Sequence, residues 1–459
     1  MTSEVDQATT AAVDRDSPRR ATALFVRMWA VAHIIHLVAA NGSALGSVWS
    51  IATVGLACLV VLRPGGRIFA AMLLAQVADY VAEMPGSPDH WALILFVNIA
   101  ILLNMAAGRS TALPVIERAF PAARTIVLLT YAFAALSKYN THFLDPVTSC
   151  ANAIAGRASF GLAGALQDTL VFPLASLALE TSVPLLLLIP YSRRHWVRVA
   201  MLFHFVLSAS PAFSVVDFTS ALFAIFVLFL SAAEVDRILD TIGRVAAKSA
   251  IVRDARRKPP VTAALAFATF GFAGYASPVV AAALVFVAAE IYLLALLLAT
   301  LWTWPAGGER QAIGRVPWFH VPVLLLALVW ALSPYLGLRT TGVFTMFSGL
   351  QTEGTHGNHL FLPTTHLTSW QDDMVTIVES NDPVLDESTT YDLAIPLIAL
   401  RRMAEDDPSL TVIGTVGGSE VEFGPEAGQT RLEPLSYWEY KLLHFRPVPR
   451  GDTPFCSIS

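Results

Sequence analysis

A chain of 459 residues with 55% hydrophobic and only 14% charged side chains departs from soluble domains, in which about a quarter of residues are charged. At a mean hydropathy of +0.59, so few charges cannot hydrate a soluble surface of this size, which excludes disordered, nucleic-acid-binding and cytosolic-enzyme classes. The formal net charge of −5 selects no partner, so the placement of individual charges carries the information.

A helix crosses the bilayer core with roughly 17–25 mostly apolar residues. In chain order, apolar stretches occupy 22–40, 44–62, 67–85, 91–107, 120–138, 169–190, 195–213, 217–236, 260–276, 278–304 and 317–338. They predict an all-α polytopic membrane protein of about eleven spans. The least regular are 67–85, which carries Gln76, Asp79 and Glu83, and the pair flanking the short turn at Ser277-Pro278. Residues 1–20 read as a polar cytoplasmic tail with no cleavable signal, leaving 21–338 as the transmembrane domain. Basic residues alternate from loop to loop: Arg15, Arg19, Arg20 and Arg27 at the start, then Arg63 and Arg67, then Arg109, Arg118 and Arg124. Arg193, Arg194 and Arg198 follow, then a basic cytoplasmic loop over 237–258, then Arg310 and Arg315. The intervening loops hold only Lys138 and Arg157. Retention of basic loops inside the cell predicts a cytoplasmic N-terminus and an extracytoplasmic C-terminus.

Beyond 338 the composition turns polar, with Gly417-Gly418 among its turn clusters and β-like runs at Leu360–Leu362, Met374–Val378, Leu410–Val416 and Tyr437–Phe445. Residues 339–459 are expected to form a small extracytoplasmic β-rich or α+β domain. Of the three cysteines, Cys58 reads as a small residue within a span. Cys150 and Cys456 both fall on the oxidising side in this topology, either bonded to each other or as unrelated thiols.

Ionisable groups at membrane depth are costly and mark function. Lys138 ends the fifth span on the side almost free of basic residues. Held against apolar walls, its amine would lose some of its preference for charge and serve as a base. The alternative is a helix-end lysine that snorkels to the interface. His33 and His36 share one helix face, as do Asp79 and Glu83. The histidine pair reads either as hydrogen bonding between helices or as half of a haem or metal site. Glu180 and His204, on consecutive spans, are expected to meet near mid-membrane. The run Thr352-Glu353-Gly-Thr-His356-Gly-Asn358-His359 holds metal-ligand types but no standard zinc spacing, so a capped polar turn competes with a site there. No G-x-S-x-G, P-loop or G-x-G-x-x-G signature stands in a suitable context, and no internal repeat is present.

The run Phe133-Ala-Ala-Leu-Ser-Lys138-Tyr-Asn-Thr-His-Phe143-Leu-Asp-Pro146, followed by Ser149-Cys150-Ala151, resembles the horizontally transferred transmembrane domain family. That family comprises bacterial relatives of the vitamin K-dependent gamma-glutamyl carboxylase. Glu180, Pro184 through Pro190, Arg193-Arg194, Phe203-His204 and the stretch from Gly337 through Met346, Ser348 and Glu353 to Asn358-His359 extend the resemblance over roughly 20–240 and 330–456. It implies an integral protein of a bacterial plasma membrane, with a reduced quinone (vitamin K hydroquinone or menaquinol) as cofactor and Lys138 as the base that starts its oxygen chemistry. The resemblance assigns Glu180 and His204 to the catalytic membrane pocket, and Met346, Phe347 and His359 to the quinone. Two departures shift the expected substrate. The extracytoplasmic portion is too small for the carboxylases' propeptide-recognition part, and Met346-Phe347-Ser348-Gly349 lacks the histidine that follows their paired methionines. The expectation is therefore epoxidase-type or carboxylating chemistry on another peptide or small molecule. The alternative is a non-enzymatic transporter or partner subunit, although a transporter should show a repeat.

Overall fold

The computed structural model describes residues 20–40, 47–210, 215–249, 277–303, 312–354 and 357–450. The chain is mostly helical, with a small antiparallel sheet near its C-terminus. It divides into two compact units, one of Met1–Asp79, Ile94–Leu128 and Val183–Leu324, the other of Tyr80–Leu93, Leu129–Ser182 and Leu325–Ser459.

The helices before the sheet are α1 (Arg20–Val38), then α2 (Val48–Leu62), α3 (Gly66–Glu83), α4 (Trp91–Ala107), α5 (Leu113–Glu117), α6 (Phe120–Leu136), α7 (Cys150–Ala158), α8 (Gly164–Gln167) and α9 (Val171–Leu188). They continue with α10 (Arg193–Ser208), α11 (Val216–Val227), α12 (Ala232–Lys248), α13 (Pro278–Trp302) and α14 (Val321–Leu332). Among the described residues, four helical stretches are long and apolar enough to cross a membrane: Arg20–Val38, Leu113–Leu136, Val171–Leu188 and Val279–Trp302. Their outer residues suit lipid: Leu174 and Leu185 on α9, and Val287, Ile291 and Leu298 on α13, are all more than half exposed. Other apolar helices, such as Val48–Leu62, Trp91–Ala107 and Val216–Val227, are shorter.

The sequence expectation of one span over 217–236 is corrected. The helix ends at Val227, and Ser231 opens α12 by a capping box: its hydroxyl accepts from the Glu234 N–H while Glu234 accepts from the Ser231 N–H. The signal, Ser231-Ala-Ala-Glu234, was legible as a helix start. The expected span 260–276 lies outside the described residues.

The first unit is tied internally by buried polar bonds between helices. Trp29 Nε1 donates to Asn98 Oδ1 at 2.7 Å, and Asn98 Nδ2 to Gln76 Oε1 at 2.6 Å. The hydroxyls of Ser47 and Ser50 both donate to Asp79 Oδ1. Such bonds fix helix pairing where lipid offers no hydrophobic drive between helices.

In the second unit, the strands β1 (Met374–Ser380), β2 (Leu393–Pro396), β3 (Val412–Val416), β4 (Ser419–Phe423) and β5 (Val448–Pro449) form one antiparallel sheet in the order β4-β3-β1-β2-β5. The tight β3–β4 hairpin turns at Gly417-Gly418, both with positive φ, a conformation that costs glycine little. Helices α15 (Pro383–Thr390) and α16 (Leu397–Asp406) belong to the same layer, and Val375, Ile377, Ile395, Leu385, Ile398, Leu400, Val412 and Phe423 bury their side chains in its core. Two expected strands are corrected. Leu360–Leu362 has no strand partner beyond the neighbouring bridge Asn140–His359. Residues Tyr437–Leu442 form a helix, α17, because Ser436 and Glu439 again make a capping box. Lys441 of α17 donates to the carbonyls of Ala82 (2.8 Å) and Met84 (2.7 Å), anchoring this helix on the C-terminal end of α3 and the residue that follows it.

Cys150, at the start of α7, is disulfide-bonded, and Cys58 is a free thiol. The expected partner, Cys456, lies outside the described residues.

Candidate functional site

Helix α6 stops where its apolar run stops. Ser137 Oγ turns back to the Ala134 carbonyl (2.9 Å), and Asn140 Nδ2 donates to the Ser137 carbonyl (2.7 Å), closing the helix end with side chains. Asn140, fully buried, also donates to the Ser348 carbonyl (2.8 Å) and accepts from the Phe143 N–H (2.8 Å). Backbone bonds Thr141 N to Asn358 O and Leu360 N to Tyr139 O complete the clamp. Local turn chemistry thus holds residues 137–143 against two later segments, 345–350 and 358–360.

Lys138 lies inside this clamp. Its Nζ donates to Met346 O at 2.9 Å and Ala134 O at 3.3 Å, and forms an ion pair with Glu180 Oε2 at 2.8 Å. An ammonium has three protons to give, and these acceptors match that number. The Phe143 ring lies 5.6 Å from Nζ, within cation–π reach. Phe143 in turn packs with Ala151 and Leu177, and Tyr139, Leu144 and Phe172 border that cluster. Glu180 sits mid-helix on α9, its other oxygen accepting from Ser176 Oγ at 2.9 Å. Pro184, four residues on, has no N–H to offer the Glu180 carbonyl. The lysine side chain is 4% exposed and the glutamate side chain 14%, so the carboxylate is the more accessible member of the pair.

Of the residues expected to bind a quinone, Met346 contributes its backbone carbonyl to Lys138, and Phe347 takes a positive φ of 52° in the same turn. His359 donates from Nε2 to the Leu136 carbonyl (3.0 Å), while Nδ1 accepts from the N–H groups of Phe361 and Leu362 (3.1 and 3.0 Å). Those bonds select the neutral imidazole, and burial lowers its pKa, opposed by the bond to Leu136. His359 therefore braces the helix end, its ring edge-on to Tyr335 and Phe361.

Glu180 pairs with Lys138 within the second unit. His204 belongs to the other unit, its ring among Phe203, Phe218 and Phe226. His33 and His36 are also spent within that unit: Nδ1 of His33 bonds the Trp29 carbonyl (2.7 Å) and Nδ1 of His36 bonds Asp217 Oδ2 (2.8 Å). In the Thr352–His359 run, Glu353 pairs with Arg446 at 3.5 Å, and His356 lies outside the described residues. Sequence reasoning missed the partnership of Lys138 with Glu180. The available signal was that each is a lone ionisable residue in an apolar stretch, with opposite signs.

No family model matches the chain, and no curated protein or solved structure matches it.

Proposed function

We propose that this chain is an integral membrane enzyme that activates a reduced quinone, vitamin K hydroquinone or menaquinol, for oxygen chemistry at the Lys138–Glu180 pair. The reading follows the resemblance of the Lys138 segment to the vitamin K-dependent carboxylases. The observation that supports it is a buried lysine in an ion pair with the Glu180 carboxylate, the more exposed of the two side chains. A reduced quinone supplies the electrons for reaction with oxygen and an acidic hydroxyl. The residues suit such a group: the Tyr139 and Phe361 rings, 5.6 Å apart, provide an aromatic wall beside a proton-accepting pair. In a low-dielectric surrounding, the amine and carboxylic acid cost less to desolvate than the two ions. In the proposed step the pair takes up the quinol hydroxyl proton, with Lys138 as the base and Glu180 as its partner.

We place about eleven spans in the membrane, with the N-terminus cytoplasmic and residues 339–459 outside. The alternation of Lys and Arg between loops supports this, and so does a disulfide at Cys150, since disulfides persist on the oxidising side. A second reading has an observation of its own. The three acceptors around Nζ are what a purely structural lysine would need, as in a non-enzymatic partner subunit or transporter. Purified protein given menaquinol or vitamin K hydroquinone, oxygen and bicarbonate separates the two. Quinone epoxide should form with the wild type and vanish with Lys138→Ala; a folded Lys138→Ala protein that forms epoxide at the wild-type rate supports the structural reading.

A further inference from the structure

Within the second unit, α7, α8 and the turn between them form a hairpin whose two ends are tied beside the start of α9. Asn152, buried on α7, donates from Nδ2 to the Thr169 carbonyl at 3.0 Å and to the Pro146 carbonyl at 2.8 Å. Further along, Gly156 gives the Gln167 side chain room against the α7 backbone, where a Cβ would overlap its amide. The chain reverses at Phe160 and Gly161, with φ of 51° and 82°. No charged residue stands between Arg157 and Asp168. The tip holds Phe160, 71% exposed, and Leu162, 92% exposed, and the exposed Leu166 and Leu170 follow.

The position of the hairpin follows from its base. Thr169 stands two residues before Val171, the first residue of a helix long and apolar enough to cross a membrane. The end of such a helix lies at a bilayer surface, so the hairpin is held there as well. Its exposed Leu166 and Leu170 lead into the exposed Val171 and Leu174 of α9, and an apolar patch within reach of lipid is stabilised by leaving water. The backbone is suited to that move. Every N–H from Ser159 to Gly164 bonds inside the hairpin, among them Gly161 to the Gly156 carbonyl (3.1 Å), Leu162 to the Ser159 carbonyl (3.0 Å) and Ala163 to Ser159 Oγ (3.1 Å). Water would supply partners to a loop in solution, whereas a tip in lipid has to carry its own.

We propose that the α7–α8 hairpin inserts its tip into the leaflet in which α9 begins, with Phe160, Leu162 and Leu166 at the boundary between headgroups and acyl chains. Arg157 and Asp168 then stand in the polar headgroup layer, as charged residues flanking an interfacial segment do. Continuity with the exposed apolar residues of α9 favours lipid over a protein as the occupant of this surface. On its buried side α7 sets Ala151 against Phe143 and Leu177, and Phe143 is the ring beside Lys138 Nζ. The inserted tip therefore stands one short helix away from the Lys138–Glu180 pair, and its placement is independent of the chemistry at that pair.

The test uses the full-length protein in nanodiscs of phosphatidylglycerol and phosphatidylcholine, with the free thiol removed by Cys58→Ser. A nitroxide is attached at Leu162→Cys or, as an aqueous reference, at Glu420→Cys on the exposed edge of β4. Collisions with oxygen, which concentrates in lipid, and with a water-soluble nickel chelate report the surroundings of each label. The ratio of oxygen to nickel collisions at Leu162→Cys should exceed that at Glu420→Cys several-fold, as expected for a depth of about 5–10 Å. An equal ratio would leave the tip in water, and shielding from both reagents would put it under another protein chain; either result overturns the insertion. A measurement on the wild type guards against misfolded variants. In discs containing a phospholipid with a diazirine on its acyl chain, photolysis should label residues 159–167 as well as α9, resolved by tandem mass spectrometry. Labelled α9 with unlabelled 159–167 counts against the proposal.

Discussion

Two cations are buried in the same unit, Lys138 at the end of α6 and Arg339 just beyond α14, and they are stabilised in different ways. Arg339 is 2% exposed, and its guanidinium donates to the carbonyls of Pro85 (3.0 Å) and Thr341 while lying 4.7 Å over the Trp330 ring. Lys138 is 3% exposed, but one of its acceptors is the carboxylate of Glu180 at 2.8 Å. Arginine keeps its charge and presents a planar fork to carbonyls and aromatic faces, which suits a permanent brace. A lysine beside a carboxylate has a proton that the pair can redistribute. The same degree of burial serves architecture at one position and, in the proposed function, proton transfer at the other.

The largest stability effect should come from the brace. Arg339→Leu leaves the Thr341 carbonyl without the Arg339 donor and the Pro85 carbonyl with His444 alone, and should cost about 3 kcal/mol, at roughly 1–3 kcal/mol per stranded group with lost packing on Trp330 added. Thermal unfolding in detergent measures it. Arg339→Lys should recover little, because a single ammonium cannot reproduce the fork; full recovery would make charge alone the cause.

Breaking the Lys138 pair should cost less. Lys138→Met leaves Glu180 without its counter-ion, at about 2 kcal/mol, reduced from the value for wholly buried pairs because the carboxylate retains an opening. Adding Glu180→Leu should restore most of the loss. A double-mutant cycle reports the coupling, and strict additivity would mean that the two side chains do not stabilise each other.

The most gradual effect is on pH dependence. His444 donates from Nδ1 to the Pro85 carbonyl at 2.8 Å. Burial first, then the nearby Arg402 and Arg339, lower its pKa from 6.5 to about 3. Between those values the unfolded chain binds the proton more readily than the folded one, so stability falls as pH drops from 6.5 toward 3. His444→Gln should flatten that part of the profile; an unchanged acid slope would assign it to other groups.

How much of this was legible in the sequence depends on the range of each signal. The apolar stretches that became α1, α6, α9 and α13 declare themselves over one helix length. The strands β1 and β3 were visible as short apolar runs, while β2, whose four residues are all buried, lacks the alternation that marks a half-exposed strand. Tyr437–Phe445 misled because its aromatic and apolar residues suit a strand; Ser436 and Glu439 decided for helix. Lys138 stood out by its isolation, but its nearest partners arrive from Glu180 and Met346, distant in sequence, and no local pattern encodes those meetings. His359, assigned to the quinone by resemblance, bonds three backbone groups, a use that its residue type cannot reveal.

The central claim is that the Lys138–Glu180 pair moves protons. Its most direct test is epoxide formation by Glu180→Gln, a substitution that keeps the side-chain shape and an acceptor oxygen for Lys138 but removes the proton-accepting carboxylate. The account predicts a folded protein, with a melting temperature near that of the wild type, whose epoxide yield from vitamin K hydroquinone or menaquinol falls on the order of 100-fold or more, the scale of general acid–base catalysis. A folded Glu180→Gln protein that makes epoxide at the wild-type rate would contradict it.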